Sequence, residues 1–325
     1  MPTATLERDI LAEAHRLGFA AAGFAEAGDA IGSDAFAQWL DRGYAAGMDY
    51  LHRHAPLRRH PDAIAPDART IIAAAARYPA NPRPTDGGFC MTARTRDYHD
   101  VLRDKLRELA DFIKQRTPAR TTRICVDSAP LPEREWARRA GLGWQGRQGQ
   151  LISPVAGACT VLGFLLTDIA LRPSPPLPDQ CGDCRRCIES CPSGAICPDA
   201  QIDARRCLSY LTIEHRGEVP PGLRPAIGQA LFGCDICTSA CPWNQTATAP
   251  VMPELRPLAG PMPDAAALAA MTPETFTTRF RGTAVERSGI ERLQRNAAIA
   301  CACARGPGSR SPCVGGEGSP ERSAI

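Results

Sequence analysis

The chain has no apolar run of the roughly 20 residues that a helix needs to cross a bilayer. Its best stretch, residues 161–171, is short and carries Asp168 within it. The first ten residues are polar and mixed, without the basic start and apolar stretch of a secretory leader. Both absences lead us to expect a soluble, cytoplasmic protein. Disulfides are rare in that compartment, so the fifteen cysteines need another explanation. An excess of one charge is missing too. Lys and Arg number 38 and Asp and Glu 35, a formal net charge of +3, too small for bulk charge to establish a nucleic-acid partner. The C-x3-C-x2-C spacing of a radical S-adenosylmethionine site is also absent. Cys237 and Cys241 begin it, but Asn244 stands where the third cysteine should be.

What is present is eight cysteines in two matched runs. Cys181, Cys184, Cys187 and Cys191 precede Pro192 with the spacing C-x2-C-x2-C-x3-C-P, and Cys234, Cys237 and Cys241 precede Pro242, with Cys207 upstream. Four thiolates are what a cubane iron–sulfur cluster takes from protein, and in two-cluster ferredoxins the fourth cysteine of such a run serves the other cluster. That rule assigns Cys181, Cys184, Cys187 and Cys241 to one [4Fe–4S] cluster. It assigns Cys191, Cys207, Cys234 and Cys237 to the second. Structural zinc also uses paired C-x2-C elements, but its sites rarely show two C-P terminated runs with crossed counts. The remaining cysteines (Cys90, Cys125, Cys159, Cys197, Cys301, Cys303 and Cys313) read as small buried apolar residues or tail residues.

A chain of 325 residues has room for two or three domains. Residues 1–172 read as one layered domain. Leu6, Ile10, Leu11, Ala14 and Leu17 recur at helical spacing up to Gly18. Residues 35–51 read as a helix broken near Gly43 and Gly47, and 98–116 as a strongly amphipathic helix. Residues 69–78, 123–126 and 159–169 read as strands. Short strands alternating with helices predict an α+β class with an α/β-layered first domain. Four prolines within residues 173–178 read as a stiff linker. The two-cluster domain follows within 173–249, and 250–304 is a short helical region with Thr272 and Pro273 placed to start one helix. In 305–325, 12 of 21 residues are Gly, Pro or Ser, a composition that cannot build a core, so disorder is expected there.

A ferredoxin alone does not need some 170 residues ahead of it; something there should receive electrons. Val126, Asp127, Ser128, Ala129 and Pro130 stand at a strand end. They lead through Glu133, Arg134, Glu135 and Trp136 into the glycine-rich 140–146, where glycines let backbone approach a large flat ligand. The plainer reading is a strand-to-helix turn with Asp127 as an N-cap. Arg134, Arg138, Arg139, Arg147, Arg205, Arg206, Arg279, Arg281, Arg287, Arg292 and Arg295 suit phosphate, although any one such cluster is more often a solvated face. Asp97, Tyr98 and His99 begin like the D-x-H-x-x-G pattern of a cobalt-ligating histidine, but Leu102 replaces the glycine. His99 therefore reads as a helix N-terminal or phosphate-facing residue. Tyr210 and Trp144 could adjoin cofactors, with packing the plainer role.

Taken together, five groups of residues resemble the epoxyqueuosine reductase family. They are Val126 to Pro130, Ala140 to Trp144, Asp203 to Glu214, Gly233 to Cys237 and Cys241 to Asn244, with Arg96 to His99 beside them. The resemblance covers about residues 1–300. It implies cobalamin, two [4Fe–4S] clusters, and reduction of epoxyqueuosine at the tRNA wobble position to queuosine. It implies an N-terminal cobalamin-binding catalytic domain related to that of reductive dehalogenases. Asp127 matches the proton donor, Cys90 and Trp144 fall beside the cofactor, and Arg134 matches a basic residue near tRNA. A monomer and a low-potential electron donor are expected as well. Beside an apolar corrin face the Asp127 carboxyl would be desolvated and its pKa raised. The resemblance implies that many members continue into a helical repeat region that grips tRNA; here the Gly/Pro/Ser tail stands in its place, so 250–304 reads as a truncated repeat. Two other readings remain open at this point: a corrinoid reductase of a small molecule, and a non-enzymatic ferredoxin-type carrier.

Overall fold

The computed structural model describes residues 3–30, 32–82, 88–117, 122–228 and 230–304. The disorder expected for the tail therefore falls outside the described residues. Its centre is a four-stranded antiparallel sheet in the order β1 (Ala21–Glu26), β2 (Thr70–Arg77), β6 (Thr160–Thr167), β3 (Thr122–Cys125). The register is fixed by Ala21↔Ala75, Thr70↔Thr167 and Cys125↔Phe164. In β2 alternate side chains point to opposite faces, and both faces are covered. Ile72, Ala74 and Ala76 join the core under helices Thr3–Arg16 and Tyr98–Lys114. Ile71, Ala73 and Ala75 join the other core, under Trp136 of helix Glu133–Arg139. Burial on both sides explains why β2 reads as a continuous apolar run rather than an alternating one. Gly163 lets the long helix sit close, since a Cβ there would stand 2.8 Å from Leu106.

Helix Tyr98–Lys114 buries the stripe Val101, Leu102, Leu106, Leu109 and Ile113, as its 3.6-residue periodicity predicts. The expected 35–51 helix is instead Ser33–Asp41, a run of turns, and Asp49–Arg53. Gly43 and Ala46 both take positive φ (67° and 51°), which no helix accommodates. β1 was not expected. The hairpin of β4 (Trp144–Gln145) and β5 (Leu151–Ile152) was also unexpected. The glycines of 140–146 serve the protein's own packing rather than leaving room for a ligand: a Cβ on Gly143 would stand 2.0 Å from the Ile152 carbonyl oxygen and one on Gly141 2.6 Å from that of Pro175. The proline-rich 173–178 is strapped to the sheet edge. Ser174 N–H donates to the Phe24 carbonyl at 2.9 Å, and Phe24 N–H donates to Ser174 Oγ at 3.0 Å.

The cysteine-rich segment folds as short helices, Arg186–Ser190, Leu208–Ile213 and Ile236–Ser239. It is joined to the sheet layers by specific bonds. Tyr210 is buried, and its hydroxyl accepts the Gly47 N–H at 2.9 Å. The Trp39 indole N–H donates to the Ile202 carbonyl at 2.8 Å. The last helices, Pro273–Phe280 and Ile290–Ala304, share an apolar core with Phe89, Cys90, Leu231 and Phe232. Thr272 caps the first as expected, its hydroxyl accepting from Thr275 N–H at 3.3 Å.

Three side chains on Ile290–Ala304 satisfy carbonyls at the end of helix Leu208–Ile213, where a helix leaves four without partners. Arg295 donates to the carbonyls of Leu211 (2.6 Å), His215 (2.8 Å) and Gly217 (2.9 Å), and Arg292 to Ile213 (2.6 Å). Asn296 donates to Thr212 (2.9 Å) and Leu231 (2.8 Å). These arginines hold the fold together rather than facing RNA. Arg295→Ala should cost about 2–3 kcal/mol, the scale of hydrogen bonds made by a charged group, read as a lower Tm with unchanged iron content.

Candidate active site and cluster ligands

β3 ends at Cys125, and the chain turns sharply. Asp127 has φ 51°, a left-handed conformation rare outside glycine and tolerated best by Asp and Asn. The turn is pinned from two sides. Asp127 N–H donates to Glu133 Oε1 at 2.5 Å. Asp127 Oδ2 lies 3.0 Å from His99 Nε2. Asp127 does not cap the following helix, whose N-cap is Pro132.

His99 sits in the first turn of helix Tyr98–Lys114 and is buried. The N-cap is Asp97, whose carboxylate accepts the His99 backbone N–H at 3.0 Å and meets His99 Nδ1 at 2.6 Å. Arg287, 190 residues away, donates to Asp97 Oδ2 at 2.7 Å. The imidazole therefore bridges two carboxylates instead of facing a phosphate. Burial disfavours its charged form, but the hydrogen bonds to Asp127 and Asp97 outweigh this and raise its pKa to about 8. The ionic part of this clamp is fully present below the ordinary histidine pKa of about 6.5 and is lost as pH rises through about 8.

The carboxylates divide the work. Asp97 is partly desolvated, yet His99 and Arg287 hold it down at about 2. Asp127 keeps 57% of its side-chain surface exposed. Burial pushes its pKa up, His99 and Tyr98 push it down, and the net direction is down. This reverses the expectation of a raised Asp127, which took account of desolvation but not of an imidazolium at 3.0 Å. The raised carboxyl is Glu133, pushed up to about 7 by burial and by the charge of Asp127. From sequence His99 reads as a helix N-terminal or phosphate-facing residue, and Glu133 carries no role of its own. The Asp97-Tyr98-His99 triplet is the available signal, and nothing in it points to Asp127.

The eight cluster-type cysteines sort by proximity. Burial lifts Cys241 to about 11, with added repulsion from Cys181, Cys187 and Cys184. Cys187 is raised by burial and likewise feels Cys181 and Cys184. Burial lifts Cys237 to about 12, with repulsion from Cys234, Cys207 and Cys191. Cys234 is lifted to about 12 by burial, with Cys207 and Cys191 among its neighbours. Thiols from separate runs thus crowd one another in two foursomes. A cationic cluster would relieve that penalty, since coordination to iron deprotonates a thiol. Cys181, Cys184, Cys187 and Cys241 line a cavity of about 120 Å³ with Arg147 and Trp243. Among the described residues no three His, Cys, Asp or Glu converge closely enough to hold a single metal ion. A cubane spreads its four sulfur ligands over four irons and does not require such convergence.

The β4–β5 hairpin stands beside the first foursome. Trp144 is buried and packs edge-on against Trp243 at 4.8 Å. Trp144 Nε1, Gln148 Nε2 and Ser153 Oγ are buried without partners. Unpartnered buried donors are costly, and these fit an acceptor-rich group such as cluster sulfides or the amide rim of a corrin. Cys90 is buried near Cys234 and Asp235, its thiol pushed up to about 12 chiefly by desolvation. A Cβ on Gly233 would stand 2.4 Å from that thiol. Arg134 is exposed. Other arginines considered for RNA are engaged with the protein: Arg147 with the Gly182 carbonyl (2.7 Å), Arg205 with Asp203 (2.8 Å) and Arg139 with the Asp29 carbonyl (2.9 Å). Among the described residues no helix is long and apolar enough to cross a membrane.

Residues 180–244 match the 4Fe-4S double cluster binding domain, and residues 58–128 match the family described as Epoxyqueuosine reductase QueG, DUF1730. The chain is similar to the epoxyqueuosine reductase of Alicycliphilus denitrificans, with 36% identity over 304 residues, 88% of this chain and 84% of the relative. It is 39% identical over 273 residues to that of Escherichia coli, covering 81% of this chain and 72% of the relative. Among solved structures it resembles an epoxyqueuosine reductase crystallised with an epoxyqueuosine-modified tRNA-Tyr stem loop (TM-score 0.85, 32% identity, 93% of this chain and 82% of that one). It also resembles the Bacillus subtilis enzyme with its catalytic aspartate loop swung out of the active site (TM-score 0.83, 31% identity, 93% and 82%).

Proposed function

The chain belongs to the epoxyqueuosine reductase family, and from that premise we propose that it reduces epoxyqueuosine in tRNA to queuosine. The observation that carries this reading is the crowding of eight thiols into two crossed foursomes, in one chain with an acidic turn clamped by a histidine. In this reading Cys181, Cys184, Cys187 and Cys241 hold one [4Fe–4S] cluster and Cys191, Cys207, Cys234 and Cys237 the other. Cobalamin is proposed for domain 1–172, with Trp144, Cys90 and Asp127 as its contacts. The unpartnered Trp144 N–H supports the first of these. When bound, the clusters supply single electrons and the corrin a reducing cobalt centre.

Removing an epoxide oxygen as water takes two electrons and two protons. Asp127, at the exposed tip of its turn, is proposed to deliver a proton to the departing oxygen. Arg134, in the first turn of the next helix and also exposed, is proposed to meet the tRNA backbone. An anticodon loop splays its bases and can present one to a pocket. The domains proposed are 1–172 for the corrin and catalysis, 173–249 for the clusters and 250–304 as the helical end.

The test is an anaerobically reconstituted protein with a stem loop carrying epoxyqueuosine. We expect retention of a corrin through gel filtration, and RNA affinity that falls steeply with salt. Arg134→Ala should weaken that affinity several-fold and reduce the salt slope by about one, leaving Tm unchanged. Loss of all corrin on filtration would remove both this reading and the small-molecule corrinoid alternative, and would favour the electron carrier.

A further inference from the structure

We propose that His99 is the positioning residue for Asp127: gripped at Nδ1 by Asp97, it holds the Asp127 carboxylate through Nε2 and supplies it with the proton that the departing oxygen takes. This rests on the functional reading above. The geometry is a continuous chain, Arg287 to Asp97 (2.7 Å), Asp97 to His99 Nδ1 (2.6 Å) and His99 Nε2 to Asp127 (3.0 Å). Its inner members, Asp97 and His99, are buried, and its two ends, Arg287 and Asp127, reach the surface. A carboxylate on the inner nitrogen fixes which ring nitrogen faces outward and favours the charged ring.

The proton balance is simple. The resting His99–Asp127 pair holds one proton, on Nε2. As negative charge builds on the departing oxygen, the Nε2–H bond breaks and an O–H bond forms on Asp127. That bond then breaks as the oxygen gains its proton. The neutral imidazole recovers a proton from solvent, which also supplies the second proton of the released water. No electron passes through these groups.

The pair is faced by charged groups from several elements. On the helix side these are Asp97, with Arg287 behind it, Asp100, 3.8 Å from Arg287, and Arg103, which reaches Ser128 beside Asp127. Tyr98 stacks on the ring at 4.0 Å. Across from His99, Asp127 is faced by Glu133 and Arg134, with Arg58 and Tyr50 acting on it from the 49–59 segment. Asp97 and Asp127 are the two that bond the ring directly.

The experiment follows the His99 titration by nitrogen NMR in the full, cluster-loaded chain with labelled histidine; six histidines make assignment by His99→Gln direct. Asp97→Asn is the informative variant, because Asn caps a helix as well as Asp but lacks the charge. We expect the His99 titration to move down by one pH unit or more in Asp97→Asn, with iron content near wild type and a Tm lowered by loss of the buried ion pairs to His99 and Arg287. The alkaline limb of turnover should move down with it. In His99→Gln that limb should vanish and turnover fall at least tenfold. A wild-type His99 titrating at its ordinary value and unmoved by Asp97→Asn overturns the proposal, as does a His99→Gln protein with wild-type rate and pH profile. A chain whose His99 moves as stated but which converts no substrate overturns the functional reading and leaves the proton pair standing.

Discussion

Cys241→Ser and Cys181→Ser should lose the same cluster, although the two residues are 60 positions apart in the chain. Cys191→Ser should lose the other one, although Cys191 is only four residues from Cys187. This follows from the sorting of the thiols: Cys241 crowds Cys181, Cys184 and Cys187, whereas Cys191 crowds Cys207, Cys234 and Cys237. Iron should fall from about eight to about four per chain in each single variant, two cubanes becoming one. The double variant Cys181→Ser, Cys241→Ser should retain about four as well, because both changes strike one cluster. Cys181→Ser combined with Cys191→Ser should approach zero. Local ligation predicts the reverse pattern, with Cys181 and Cys191 acting on one cluster. Iron analysis with electron paramagnetic resonance of the reduced proteins separates the two.

Asp127→Asn should lower turnover by about 10²–10⁴-fold, the range of a positioned general acid, with iron and corrin content unchanged. The amide can still accept the Nε2–H of His99, so the turn at φ 51° should keep its shape. The loss would then report on the proton rather than on the loop. Wild-type turnover should hold through neutrality and decline as pH rises through about 8, where the pair loses its proton. An Asp127→Asn protein with full turnover would remove Asp127 from the chemistry.

The sequence carries the parts of this molecule that depend on local spacing. Cluster ligation demands cysteines two and three residues apart, so those residues announce themselves. Helix Tyr98–Lys114 is equally legible because its apolar stripe repeats with the helical period. β1, Ala21–Glu26, has little β-branched character and becomes a strand through its partner β2. The 173–178 strap shows the same limit: its prolines suggest a stiff linker, and only Ser174 against Phe24 shows where it is fastened.

The same distinction runs through the site. Asp127 was identified by motif, but its protonation depends on His99, 28 residues earlier, and on Arg287, 190 residues from Asp97. A contact of that range leaves no periodic trace. Arg292 and Arg295 show the converse. Taken with the other arginines of the chain they suggest phosphate contacts, whereas in the fold they cap carbonyls of 211–217. Charge by itself does not say which group an arginine will meet.

The most direct measurement is nucleoside analysis of tRNA after a single turnover by the anaerobically reconstituted protein, given a low-potential reductant. The account predicts a product lighter by one oxygen atom, formed by the wild type and suppressed in Asp127→Asn. Epoxyqueuosine recovered unchanged from a protein with both clusters and a corrin in place would contradict it.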